Sequence, residues 1–225
     1  MTGNPRLLTR LILWTLFTMV LYAAVLFLPA GTWRFWQAWV CLAFMYTAMI
    51  PFGIYFYKHD PQMLERRMQI KEKLPEQKII MRFARLFFLL AFVLPGFDRR
   101  FRWSHEPLWL TILSQAIMAA GFVFASSIAI VNRYASRTIQ VESGQPLIST
   151  GPYRVVRHPM YLGMLAMFLF LPLALGSYWS LPVFALIAPI LALRLLNEEK
   201  VLRRDLPGYD EYCRQTRFRL IPYVW

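Results

Sequence analysis

Gly151-Pro152-Tyr153-Arg154-Val155-Val156-Arg157-His158-Pro159-Met160-Tyr161 is a polar, ring-rich stretch that runs straight into an apolar segment. Gly151-Pro152 marks a turn. Pro159 suits the first position of a helix, where its missing N–H costs nothing, so His158 falls at or near the N-cap. His158 and Tyr161 are three apart and then share one helical face. The apolar segment turns near Gly176-Ser177 and returns through a second apolar run to Arg194-Leu195-Leu196-Asn197-Glu198-Glu199. Such a hairpin brings the start of its first arm and the end of its second to the same side. His158 and Tyr161 are therefore expected beside Arg194 and Glu198. Pro172, Pro182 and Pro189 are expected to kink the hairpin.

The rest of the chain reads as scaffold. Of its 225 residues 58% are hydrophobic, and the mean hydropathy is +0.42. A soluble domain of this size could not bury so much apolar side chain, so the chain reads as an integral membrane protein. Six apolar spans are expected, at about 8–29, 34–57, 79–97, 108–132, 160–176 and 178–196. The fold class is all-α and polytopic, ending in a helical hairpin and a cytoplasmic tail. Residues 1–107 form a transmembrane scaffold of about three helices, and 108–225 form the functional core. With the N-terminus inside, 21 of the 25 basic residues fall in inner segments, and only Arg34, Arg99, Arg100 and Arg102 fall outside. That asymmetry puts both termini in the cytoplasm. The net charge of +13 is thus topological, with some attraction to anionic headgroups, and nucleic acid is not expected as a partner.

The first apolar run is too long for a signal-peptide core and reads as a retained span. Trp33, Trp36 and Trp39 form an interfacial aromatic cluster where the second span begins. A cytoplasmic loop with a short helix around Gln62–Met68 follows. The third span is expected to end at Pro95-Gly96. Ser114, Gln115 and Gly121 in the fourth suit close helix packing in lipid. Cys41 and Cys213 lie in different environments, so no disulfide is expected, and His59, His105 and His158 lack ligand spacing, so no metal is expected. The connector 132–157 is long for a compact membrane protein, which favours a functional segment, and Thr138–Glu142 within it could be extended.

Taken singly, the candidate residues have ordinary explanations. Arg194 could be a snorkelling arginine with an i,i+4 partner in Glu198, or a binder of an anionic group beside a binder of a cation; spacing alone leaves both open. His158 could be only a helix cap, and Tyr153 and Tyr161 only interfacial aromatics. Glu199 lies about 140° around the helix from Arg194, where a structural pair with Arg203 is expected. The conjunction is what carries weight: two Tyr, one His and two Arg delivered against an Arg/Glu pair at a lipid boundary.

At these residues the sequence resembles the isoprenylcysteine carboxyl methyltransferases and the related membrane phospholipid methyltransferases. The matching pattern is Gly151-Pro152-Tyr153, Arg157-His158-Pro159-Met160-Tyr161, Arg194 with Glu198-Glu199, then Gly208-Tyr209 and Tyr212. The resemblance implies an S-adenosylmethionine-dependent methyltransferase with a cytoplasm-facing cofactor pocket capped by the tail. Its acceptor would be lipid-like or isoprenylated, methylated at a carboxylate or, in the alternative, at a phospholipid amine. By position, Gln140, the Gln145, Pro146, Leu147 and Ile148 backbone, Tyr153, His158, Tyr161 and Glu198 would line the cofactor. Arg194 would bind the acceptor, and Arg194, Glu198 and His158 would carry the catalytic roles. Sterol reductases resemble this C-terminal architecture, so a dinucleotide-dependent membrane reductase is the next reading, and a transporter the one after.

Overall fold

The computed structural model describes residues 5–68, 75–132, 134, 139, 141–142 and 144–225. Among these every regular element is helical: α1 (Pro5–Ala30), α2 (Trp36–His59), α3 (Pro61–Met68), α4 (Pro75–Phe101) and α5 (Leu108–Val131) precede the connector. A short 3₁₀ turn over Gly151–Arg154 leads to α6 (Pro159–Ala174), α7 (Leu181–Ala185), α8 (Ile187–Asp205) and α9 (Tyr209–Gln215).

Four stretches, Pro5–Ala30, Trp36–His59, Leu108–Val131 and Leu181–Asp205, are long and apolar enough to cross a membrane; α6 is apolar but shorter. Its 16 residues rise about 24 Å, less than the roughly 30 Å hydrocarbon core. Leu13, Phe17, Val20 and Leu28 of α1 and Ile112 of α5 are exposed, as lipid-facing side chains are. The chain is a polytopic, all-helical integral membrane protein.

The third expected span differs. α4 passes through Pro95-Gly96 and ends only at Phe101. A proline removes one i→i−4 bond and bends a helix without always ending it. Gly96 has a packing role: a Cβ there would lie 2.7 Å from the Leu26 carbonyl oxygen and 2.8 Å from Pro29 Cβ. Its missing side chain lets α4 lie against α1. Gly121 and Gly163 do the same for α5 and α6, because a Cβ on either would meet the other's carbonyl oxygen at 2.8 Å. Gln115 Nε2 donates to the Ala174 carbonyl at 3.2 Å, satisfying an acceptor at the end of α6.

The returning arm is split. α7 gives way to α8 at Leu186, three residues before Pro189, whose ring cannot continue the hydrogen-bond ladder. Pro182 opens α7, and Pro172 lies inside α6. α8 continues past the apolar run to Asp205, so Arg194, Glu198, Glu199 and Arg203 all stand on one helix. Of the expected extended segment, Ile139, Val141 and Glu142 form no strand, while Thr138 and Gln140 lie outside the described residues.

Candidate functional site

The hairpin brings the start of α6 and the end of α8 together around a cavity of about 90 Å3. Gln145, Pro146, Leu147, Ile148, Tyr153, His158, Tyr161, Arg194 and Glu198 all line it. Gln140 lies outside the described residues. His158 occupies the N-cap position of α6, yet its side chain makes no capping bond. Its ring stands edge-on to that of Tyr161, with centroids 5.7 Å apart.

The central arrangement is a chain of three groups. Arg194 Nε donates to the Tyr161 hydroxyl at 3.1 Å, and that hydroxyl donates to Glu198 Oε2 at 2.6 Å. The i,i+4 positions on α8 are thus linked through a tyrosine on α6. The short O–H···O⁻ distance is that of a charge-assisted bond. One turn of α6 therefore fixes the orientation of both charged groups of α8.

Glu199 faces the other way and does not pair with Arg203. Its carboxylate lies 3.2 Å from Arg157 Nε and 3.5 Å from His158 Nε2, and accepts from Arg219 Nε at 3.0 Å. Arg203 instead reaches Asp210 on α9. The difference comes from the path of the tail. Backbone N–H groups of Arg157 and His158 donate to the Phe218 and Arg219 carbonyls, both at 2.9 Å, which lays the tail beside the turn before α6. Neither arginine that meets Glu199 is four residues away: Arg219 lies 20 residues on, and Arg157 precedes α6.

Residues without an expected site role complete the walls. Asn132 at the end of α5 donates through Nδ2 to the Tyr153 hydroxyl at 2.8 Å. Tyr212 donates its hydroxyl to the Tyr153 carbonyl at 2.7 Å. Gly208, at φ +81, adopts the left-handed conformation that lets α9 turn back under the cavity. Tyr209 packs beside Tyr212 with ring centroids 5.8 Å apart, and burial pushes both phenols well above their ordinary pKa. The Tyr209 hydroxyl is buried, lines the cavity and has no hydrogen-bond partner. An Asn after an apolar helix carries no sequence signal for such a contact. Only the Gly208-Tyr209 turn gave one.

Residues 109–206, from α5 to the end of α8, match the family model described as phospholipid methyltransferase. Across 99% of its length the chain is similar in fold to the eukaryotic intramembrane Ras methyltransferase ICMT (isoprenylcysteine carboxyl methyltransferase), covering 88% of that chain with a TM-score of 0.50 and 14% identity. Two curated relatives share parts of the sequence. The Delta(14)-sterol reductase TM7SF2 of Mus musculus is 34% identical over 91 residues, 39% of this chain and 22% of the reductase. The nickel-cobalt-cadmium resistance protein NccN of Alcaligenes xylosoxydans xylosoxydans is 28% identical over 113 residues, 47% of this chain and 50% of NccN. The chain thus spans half or less of these relatives' lengths.

Around the cavity the donor set suits a cationic, aromatic-bearing cofactor. Tyr153, His158, Tyr161, Tyr209 and Tyr212 present ring surface, Glu198 a carboxylate, and Tyr209 an unmatched hydroxyl. Among the described residues no group of His, Cys, Asp and Glu is arranged to hold a metal ion.

Proposed function

We propose that this cavity binds S-adenosylmethionine and that the protein methylates a lipid-like or isoprenylated acceptor drawn from the bilayer, at a carboxylate. The observation that carries the reading is the Arg194–Tyr161–Glu198 chain at the cavity, inside a segment matched by a methyltransferase-family model. Bound there, the cofactor supplies a methyl group already activated on a sulfonium. The protein's part is alignment and exclusion of water.

Arg194 serves as the acceptor's anchor, orienting a carboxylate through charge-assisted hydrogen bonds. Tyr161 holds Arg194 and Glu198 in fixed relation, and Glu198 faces the cation. The Gln145–Ile148 backbone and the Tyr153 and His158 side chains contribute walls, and Gln140 is proposed to join them. A carboxylate acceptor arrives without a proton to lose. An amine acceptor must lose one, and Glu198 or His158 is then the base. The cavity faces the cytoplasm, with both termini on that side, as the charge asymmetry requires.

Arg194→Ala tests the assignment. It is expected to abolish transfer of labelled methyl to an isoprenylcysteine carboxylate while cofactor binding persists. Retained turnover removes Arg194 from the acceptor role. Transfer to a phospholipid amine in the wild type, with none to the carboxylate, moves the assignment to N-methylation.

A second reading, a dinucleotide-dependent membrane reductase, is favoured by the 34% identity to the sterol reductase. It predicts binding of a reduced nicotinamide dinucleotide in the same cavity.

A further inference from the structure

A second cavity, of about 840 Å3 and open to the surface, lies at the opposite end of the helices, where α1 and α6 end and α5 begins. Arg34, Arg99, Arg100 and Arg102, the four basic residues outside the positive-inside pattern, all line it. Positive charge on that side runs against topology, and here it converges on one hollow. None of the four forms an ion pair with a described carboxylate. Arg99 donates to the Arg34 carbonyl at 2.9 Å, and Arg100 lies 5.7 Å from the Phe101 ring.

The two acids nearby do not neutralise them. Asp98 is 2% exposed, and its carboxylate accepts from Ser104 N, Ser104 Oγ and Ser177 Oγ at 2.7, 2.6 and 2.5 Å. Both Glu106 oxygens are buried without a hydrogen-bond partner. Burial, with Asp98 adding to it, pushes the Glu106 pKa up to about 7, so it holds its proton far more readily than an ordinary carboxyl. Gln37 Oε1 is likewise buried and unpartnered at the cavity wall. Arg102 is held at φ +55, a left-handed conformation that an L side chain seldom adopts. Exposed Trp33, Trp103, Trp109 and Trp179 stand at the same end, as aromatic side chains do at headgroup level.

We propose that this cavity binds a phosphate group, supplied by the headgroup of an anionic phospholipid or by free phosphate. Four guanidiniums without a counter-ion among the described residues offer forked donors to phosphate oxygens. The tryptophan setting places the cavity where headgroups lie. This site is separate from the methyl-transfer cavity, and neither assignment depends on the other.

The test uses the full chain. Native mass spectrometry from discs of phosphatidylcholine with phosphatidylglycerol is expected to retain phosphatidylglycerol in preference. The double variant Arg100→Gln/Arg102→Asn should bind it about thirtyfold more weakly, at one surface-charge contribution per arginine. Asparagine tolerates the left-handed backbone at 102. Arg204→Gln, an exposed arginine at the other end, should bind as the wild type does. If the double variant does not fold, Arg34→Gln carries the test with about a fivefold loss, because the bond to Arg99 uses its backbone. In detergent free of anionic lipid, millimolar inorganic phosphate that raises the Tm of the wild type but not of the variant identifies free phosphate as the source. Equal retention of phosphatidylglycerol by wild type and variant, with no phosphate effect on Tm, overturns the proposal.

Discussion

The two ends of the helix bundle solve the same problem in opposite ways. At the α6–α8 mouth the buried carboxylate of Glu199 is met by two arginines and a histidine. At the far end the buried carboxylate of Asp98 is met by two serine hydroxyls and a backbone N–H, with the serine at 177 also 2.9 Å from Ser180. The first hub engages cations and ties the tail to the turn before α6. The second engages neutral donors, joining α4 to the loop before α5 and the turn after α6. Its arginines therefore remain at a cavity rim. Buried charge is costly to leave unmatched in either case, but what matches it decides which charges face a ligand.

The largest effect should come from Glu199→Ala. It leaves Arg157, 6% exposed, without its carboxylate and cuts the tail's tie through Arg219. Breaking a buried pair from one side costs about 3–5 kcal/mol, read as a marked fall in the unfolding midpoint in detergent. A loss below about 1 kcal/mol, the range of exposed pairs, would erase the difference between the two hubs. Asp98→Asn should cost less, about 1.5–3 kcal/mol, because hydrogen bonds are weakened but no cation is stranded. Chemical denaturation of both variants under one condition ranks them directly. An Asp98→Asn cost exceeding that of Glu199→Ala would invert the comparison.

How far the sequence anticipated these hubs follows from the range of the contacts. The hairpin, the N-cap position of His158 and the meeting of Tyr161 with Arg194 and Glu198 rest on local periodicity and one turn, and were legible. Glu199 was not, because helical spacing offers Arg203, while the real partner depends on where residues 216–225 run. Asp98 carried no signal at all: it sits just past Pro95-Gly96, which reads as a helix end. The chain continues there because Gly96 admits α1, a contact 66 residues upstream at Ala30 and invisible to local pattern. Asn132 carried no signal, and Tyr209, though part of the quoted pattern, reaches the cavity wall only through the turn at Gly208.

Acidity sharpens the contrast at the far end. The Glu106 pKa is raised from 4.5 to about 7 by burial, with Asp98 adding to it. The native state therefore holds this proton more tightly than the unfolded chain. Its contribution to stability is full below about pH 4.5 and is lost as pH rises through about 7. Glu106→Gln should flatten that part of a pH–stability profile, and an unchanged slope would contradict the assignment. The smallest effect belongs to Asp210→Ala: its pair with Arg203 is exposed, 43% and 63% for the two side chains, so about 0–1 kcal/mol is expected in the same denaturation assay.

Calorimetric titration of the purified full chain with S-adenosylmethionine, run beside a reduced nicotinamide dinucleotide, tests the methyl-transfer assignment most directly. Saturable heat from the first, diminished in Glu198→Gln, is the expected result. Heat from the dinucleotide alone, or from neither, contradicts it.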